Sequence, residues 1–262
     1  VQVTALCREN DPNQARLPPQ VAVVHHMKDL EKADVFYHLA WESASGPGRA
    51  DAVVQTRNAE LTLEALLTAD RLGCKRFIAM GTIYERLAPQ ILASGKFGGP
   101  DFYILSKTHA HTMADQLAHK LGIEFVWCTI CHPIGRYIKP DQMMASVVAS
   151  LLSGISPSLG FAQTVYDIVA VEDVARGLRL LGDTYALRYR EYYIGSGSPK
   201  PLYQWLEDTR CILGVNTPLG IGELGDDGLE FDESWFQISP LAEETGYAPQ
   251  ISFERAVANI IK

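Results

Sequence analysis

Arg76-Phe-Ile-Ala-Met-Gly-Thr82 is a short apolar run that stops at a Gly-Thr turn. A continuous apolar run bounded by turn residues fits a strand buried on both faces. Just upstream, Arg57–Leu72 carries Leu61, Leu63, Leu66, Leu67 and Ala69 at helical spacing, and Gly73 follows as a C-cap. Downstream, Tyr103–Leu121 has a helical pattern ending at Gly122, and Ile123–Ile130 is a further apolar run. Towards the N-terminus, Val35–Ala40, Val21–His25 and Val1–Cys7 are apolar and β-branched enough for strands. Strands alternating with helices predict an α/β fold, a doubly wound parallel sheet with crossover helices.

The second half is less regular. Asp141–Ser153, Leu202–Leu213, Pro240–Gly246 and Phe253–Lys262 read as helices, Val171–Leu181 as a strand end running into a helix, and residues 214–234 as a Gly- and Asp-rich loop with short strands. The expected division is a dinucleotide-binding domain over 1–135, to which 165–181 return, and a smaller substrate-binding lobe over 136–262.

Composition narrows the classes. Hydrophobic residues make up 47% and charged residues 21% of 262, ordinary values for a globular chain. The net charge is −8 and no Lys/Arg cluster forms a basic face, which argues against a nucleic-acid partner. No stretch reaches the ~18 apolar residues that span a bilayer. Val1–Asn10 lacks the basic leader and apolar run of a signal peptide, so a cytoplasmic setting is expected. The five cysteines, an odd number, read as reduced thiols.

The chemistry centres on Tyr103-Ile-Leu-Ser-Lys107. A spacing of four puts both side chains on one helix face. Opposite charges ~4 Å apart at an effective dielectric of ~20 interact by about 4 kcal/mol. A Lys ammonium would thus bring a tyrosine, ordinarily near pKa ~10, towards neutral pH, where it can exchange protons. Thr82 lies 21 residues earlier, at the C-terminal end of the Arg76–Met80 strand. Open α/β sheets hold their ligands there, and the Thr82 hydroxyl is placed to orient a substrate hydroxyl.

In this context several segments, in order, resemble the extended short-chain dehydrogenases/reductases that act on nucleotide sugars. Asp34-Val-Phe-Tyr-His-Leu-Ala40 is similar to D-x-x-x-H-L-A, and Asn58 with Leu61 and Leu66 to the Asn-bearing helix. Asp167-Ile-Val-Ala-Val-Glu-Asp173 resembles D-F-V-H-V-D-D, and Tyr192-Tyr-Ile-Gly-Ser-Gly-Ser-Pro199 resembles Y-N-I-G-S-G-x-P. Thr245-Gly-Tyr-Ala-Pro249 followed by Ser252-Phe-Glu254 resembles L-G-W-x-P and S-F-E-E.

The resemblance implies a Rossmann domain with NAD or NADP. Tyr103 would be the general acid/base, Lys107 would bind the nicotinamide ribose and tune Tyr103, Thr82 would orient the substrate, and Asn58 would support the Lys107 site. His38, Leu39 and Ala40 would lie close to the cofactor. A homodimer through Arg57–Leu72 and Tyr103–Leu121 is the family expectation.

Several departures qualify that pattern. Val1–Glu9 reads as the family's second strand, so the first strand and its Gly-rich loop are expected to be missing from this sequence; the alternative is a cofactor-free relative. Arg8, after that strand, suits a 2′-phosphate and tilts the choice of cofactor to NADP. Gly220-Ile-Gly222-Glu-Leu-Gly225 fits G-x-G-x-x-G by letter but runs into Asp226 and Asp227, acids that would repel a pyrophosphate, rather than into a helix. Cys128-Thr-Ile-Cys131-His132 matches a haem-attachment pattern, yet positions i and i+3 of a strand point to opposite faces, so buried thiols and no metal are expected. His132 stands where the family has a substrate-contacting Asn, and Tyr166 where it often has a phosphate-gripping Arg.

Ile83 and Tyr84 after Thr82 replace the Asp-Glu of the dehydratases, which leaves a 4-epimerase or a 4-keto reductase of a nucleotide-linked sugar. A reductase of a non-sugar ketone or alcohol, or a non-catalytic nucleotide-binding relative, are the competing readings.

Overall fold

The structure, a computed structural model, describes residues 1–95, 100–225, 228 and 230–261. Ten strands and eight helices alternate among them: β1 (Thr4–Leu6), β2 (Ala22–Val24), β3 (Val35–His38), α1 (Ala52–Arg71), β4 (Arg76–Met80), α2 (Ala88–Ser94), α3 (Asp101–Leu121), β5 (Glu124–Thr129), β6 (His132–Ile134), α4 (Met143–Leu152), β7 (Val165–Tyr166), β8 (Ile168–Ala170), α5 (Val171–Asp183), β9 (Glu191–Tyr193), β10 (Lys200–Pro201), α6 (Leu202–Leu213), α7 (Ser239–Thr245) and α8 (Phe253–Ile260). Asp226, Asp227 and Lys262, each part of a sequence expectation, lie outside the described residues.

The main sheet runs β3-β4-β5-β9, every neighbour parallel, with Phe77 opposite Phe125 and Ile78 opposite Val126. Alternate residues of its strands face opposite cores, as the strand period requires. Phe77, Ala79, Phe125 and Trp127 pack against Ala59, Leu66 and Ala69 of α1 and Ala110, Ala114 and Ala118 of α3. Ile78, Val126 and Cys128 pack on the other side against Val174, Leu178 and Leu181 of α5. Small residues on α1 and α3 let the two helices lie close on one face. The buried Arg76 at the start of β4 is satisfied by Glu124 Oε2 at 2.8 Å from Nε and by the Leu181 and Thr184 carbonyls, which burial of a guanidinium demands.

β9 makes the sheet reach further along the chain than residues 165–181. β1 and β2 form a separate parallel pair, and β6 and β8 another. A third core lies under the C-terminal half, where α4, α6 and α8 enclose Met144, Leu151, Trp205 and Val257.

The family-like segments of the second half act as ties. Asp167, fully buried, accepts from Tyr193 Oη at 2.9 Å, from Ser196 N at 2.9 Å and from the Ser196 hydroxyl. Asp173 accepts from the backbone amides of Gln250 and Ile251, each about 3.0 Å away, and so anchors the C-terminal segment. Cys128 and Cys131 point into different cores, and all five cysteines are free thiols. The turn through Gly222 and Gly225 lies against Gly160 and Phe161 by backbone hydrogen bonds of 3.0 and 3.1 Å.

Candidate active site

β4 delivers Thr82 through Gly81. A side chain at Gly81 would stand 2.1 Å from Trp127 Nε1, so only glycine passes here. Thr82 caps a 3-10 turn, Ile83–Leu87, in a reciprocal capping box with Glu85. Its amide donates to Glu85 Oε1 at 2.8 Å. The same carboxylate accepts from Trp127 Nε1 at 3.1 Å, and His111 Nδ1 lies 3.3 Å away with its ring stacked on Trp127. A buried carboxylate with two neutral donors and an imidazole therefore backs the Thr82 turn.

α3 places Tyr103 and Lys107 one turn apart, 7% and 4% exposed. Lys107 Nζ donates to the Met80 carbonyl at 2.6 Å and sits 3.7 Å from the Trp41 ring centre. Burial pulls Lys107 down to about 7, against the opposing charge of Glu85. Burial lifts Tyr103 to about 12, opposed by the Arg49 guanidinium and by a hydrogen bond with Thr82. The spacing singles out Lys107 as the cation that lowers Tyr103. In the structure Lys107 is turned to the Met80 carbonyl, and the cation over the Tyr103 ring is Arg49, 4.3 Å from its centre.

Asn58, on α1, accepts from Glu42 N and donates to Glu42 O, both at 2.8 Å. It pins the segment that carries Trp41, whose ring faces Lys107 Nζ. Trp41 is itself held by Gln55, whose Oε1 accepts from the indole at 2.8 Å.

Of the residues expected near the cofactor, Leu39 and Ala40 stand exposed just beyond β3, Leu39 at 56%. The His38 ring turns inward instead. It bonds Thr62 Oγ1 at 3.0 Å and stacks on Phe77, and burial with the nearby Lys107 charge holds it down at about 4, hence neutral. Arg8 is exposed beyond β1. These residues fit a dinucleotide laid across the strand ends: a small side chain at Ala40 for close approach, an apolar Leu39 left open, and Lys107 and Tyr103 adjoining. A crevice outside the C-terminal ends of parallel strands is where such sheets bind ligands.

His132 begins β6, its amide donating to the Asp167 carbonyl at 3.2 Å, and burial keeps its ring neutral, down at about 4. Tyr166 shares a hydrogen bond of 2.9 Å with Tyr84, hydroxyl to hydroxyl. Tyr166 also lines a cavity of about 640 Å³ between α4 and the 156–164 segment, walled by Asp141, Ser146, Ser150 and Leu159 among others. Among the described residues no cluster of His, Cys, Asp or Glu could hold a metal ion.

Sequence reasoning passed over Trp41, Arg49 and Glu85, and used Tyr84 only as a departure from the dehydratases. Only Glu85 carried a local signal, the Thr-x-x-Glu capping box.

The family profile described as "NAD dependent epimerase/dehydratase family" matches residues 3–195. No curated protein matches the chain. Among solved structures, dTDP-glucose 4,6-dehydratase (DesIV) from Streptomyces venezuelae is similar at a TM-score of 0.77 and 22% identity, over 99% of this chain and 86% of that one. UDP-glucuronic acid 4-epimerase from Bacillus cereus, in complex with NAD, gives 0.74 and 14%, over 98% and 86%. RMD from Pseudomonas aeruginosa, complexed with NADPH, gives 0.69 and 17%, over 94% and 91%. Those identities carry the fold: a Rossmann-type α/β sheet. With a profile match across three quarters of its length, the chain belongs to the NAD-dependent epimerase/dehydratase family of the extended short-chain dehydrogenase type.

Proposed function

We propose that the protein transfers hydride between NAD(P) and a carbon of a nucleotide-linked sugar, as an epimerase or a 4-keto reductase, with Tyr103 as general acid/base. The observation that supports this most is the convergence of Thr82, Tyr103 and Lys107, all buried and borne by the turn after β4 and by α3. NAD(P), when bound, supplies or accepts the hydride. The Thr82 hydroxyl, bonded to Tyr103, orients the substrate hydroxyl. Tyr103 gives or takes that hydroxyl's proton. Arg49, the cation over the Tyr103 ring, stabilises the phenolate that forms when Tyr103 has given its proton up. Lys107 would hold the ribose of the cofactor, Leu39 and Ala40 would flank it, and Arg8 would meet a 2′-phosphate, which favours NADP. α1 and α3 lie side by side and leave Val53, Leu67 and Met113 exposed, the surface a two-fold dimer would use.

One observation favours a second reading, a ketone or alcohol without a nucleotide. The only charged group on the described walls of the 640 Å³ cavity is Asp141, and Tyr166 stands where the family often grips phosphate with Arg. The test is an assay of UDP- and dTDP-hexoses for inversion at C4, and of 4-keto sugars for NADPH consumption. The expected result is turnover that falls by about 10²–10⁴ in Tyr103→Phe, the usual worth of a positioned acid/base. Turnover only of ketones lacking a nucleotide would select the second reading. Activity unchanged in Tyr103→Phe would sink both.

A further inference from the structure

Two buried side-chain polar atoms among the described residues have no hydrogen-bond partner, Arg49 Nε and His132 Nε2. Both belong to segments that follow strands of parallel sheet at the candidate site. A buried donor left without an acceptor keeps the full cost of its desolvation, and the more so when it is charged. Arg49 therefore needs a reason to be where it is.

Its position is built rather than incidental. Arg49 sits on the 3-10 turn Pro47–Ala50. Gln55 Nε2 donates to the Gly48 carbonyl at 3.0 Å and to Ser43 O at 3.2 Å. Gly46 adopts φ 71°, a left-handed conformation that suits glycine. A side chain at Gly48 would collide with Ser43 Oγ at 2.4 Å, so the turn folds tightly on its own loop. Ser45 Oγ donates to Asp141 Oδ2 at 3.2 Å, tethering the loop to the far side of the cleft. The guanidinium that this turn holds lies 4.3 Å from the Tyr103 ring centre and 5.0 Å from that of Tyr84. Aromatic faces attract a cation but take no hydrogen bond in the plane of the guanidinium. Among the described residues no carboxylate lies within ion-pair distance of Arg49, whereas Arg57, Arg76, Arg176 and Arg188 all have one.

We propose that Arg49 is a substrate-binding residue and that the sugar it receives is an acidic one, a hexuronate whose carboxylate meets the guanidinium beside the reacting carbon. The planar fork of an arginine matches a carboxylate in two parallel hydrogen bonds. The stack on Tyr103 puts that carboxylate at the end of the substrate where Tyr103 works, not at its nucleotide end. This rests on the reading of Tyr103 as the site of chemistry, and it names the sugar class for that site.

Isothermal titration calorimetry separates the two ideas, because it needs no turnover. The probes are UDP-glucuronate against UDP-glucose, and free glucuronate against glucose, each titrated into wild type, Arg49→Gln, Arg49→Lys and Tyr103→Phe. The expected result is a preference for the charged member of about tenfold or more in wild type, the range for a hydrogen bond to a charged group. Arg49→Gln should bring the pair to within about twofold, Arg49→Lys should keep part of the preference, and Tyr103→Phe should keep it whole. Circular dichroism and the Lys variant guard against a Gln variant that does not fold. Equal affinity for the pairs in wild type, a preference that survives in Arg49→Gln, or no binding of any of the four probes would overturn the proposal. If the charged sugar binds through Arg49 but no hydride moves, the assignment of Arg49 stands and the enzymatic reading falls. If turnover depends on Tyr103 but affinity ignores Arg49, the reverse holds.

Discussion

At one end of the site, Thr82, Tyr103 and Lys107 are buried, backed by Trp127 and Glu85, and carried by elements packed on both sides. At the other, Arg8, Leu39 and Ala40 stand exposed where short strands finish. The strands below repeat the contrast. β4 is buried at Arg76, Phe77, Ile78 and Ala79, whereas every residue of β1 and β2 is at least partly exposed. A strand gains burial from the layers that cover it, and β4 has helices on both faces. Proton transfer needs groups held in a dry, fixed geometry. A long dinucleotide needs strand ends left open to lie across. Under the proposed function the buried end suits the proton transfer and the open end the dinucleotide.

The largest effect that would sharpen this contrast is on stability. Phe77→Ala should cost about 3–5 kcal/mol, the usual cost of emptying an aromatic core site, while Val23→Ala on β2 should stay within about 0.5 kcal/mol. Urea unfolding of both variants checks it, and similar losses in the two would erase the distinction. Glu85→Gln should come next. It keeps the shape but turns an acceptor towards Trp127 or Thr82 into a donor, at about 1–3 kcal/mol. Removing the charge that raises Lys107 should also move the Lys107 limb of the pH–rate profile to lower pH.

Acid should loosen the buried end through its histidines. His38 and His132 are held at about 4, below the ordinary imidazole value. A depressed imidazole gives stability that is whole above about pH 6.5 and is lost as pH falls towards 4, because the unfolded chain then binds the protons. Melting temperatures taken from pH 7 to 4 should drop less steeply in His38→Asn/His132→Asn than in wild type. An unchanged slope would place the acid sensitivity elsewhere. The smallest effect belongs to the open end: Arg8→Ala should raise KM for NADPH severalfold and leave that for NADH alone.

Much of the buried half was legible because it is regular. β4 occupies Arg76–Met80 as expected, since its apolar run is covered on both sides. α1 begins at Ala52, five residues before the expected start, because its N-cap is Asp51, which accepts from Val53 N and Val54 N at 2.9 and 3.1 Å. The leucine spacing does not begin until Leu61, so the pattern could not show that first turn. Strands of two or three residues such as β7 and β10 have no period to read. Tyr103 and Lys107 were visible as neighbours on one helix. Arg49 was not, because it comes from a turn 54 residues earlier and only the packing of loop on helix brings it to Tyr103.

Cys128 and Cys131 lie three residues apart yet face separate cores, one against α5 and the other beside Tyr166. Burial pushes both thiols well above their ordinary range, so neither reacts while the fold is closed. Each becomes a clock for the opening of its own compartment. Pulsed alkylation read by peptide mass would time the breathing of the sheet's α5 side at Cys128 and of the Tyr166 side at Cys131. A bound ligand should slow the second clock and leave the first running at its own rate.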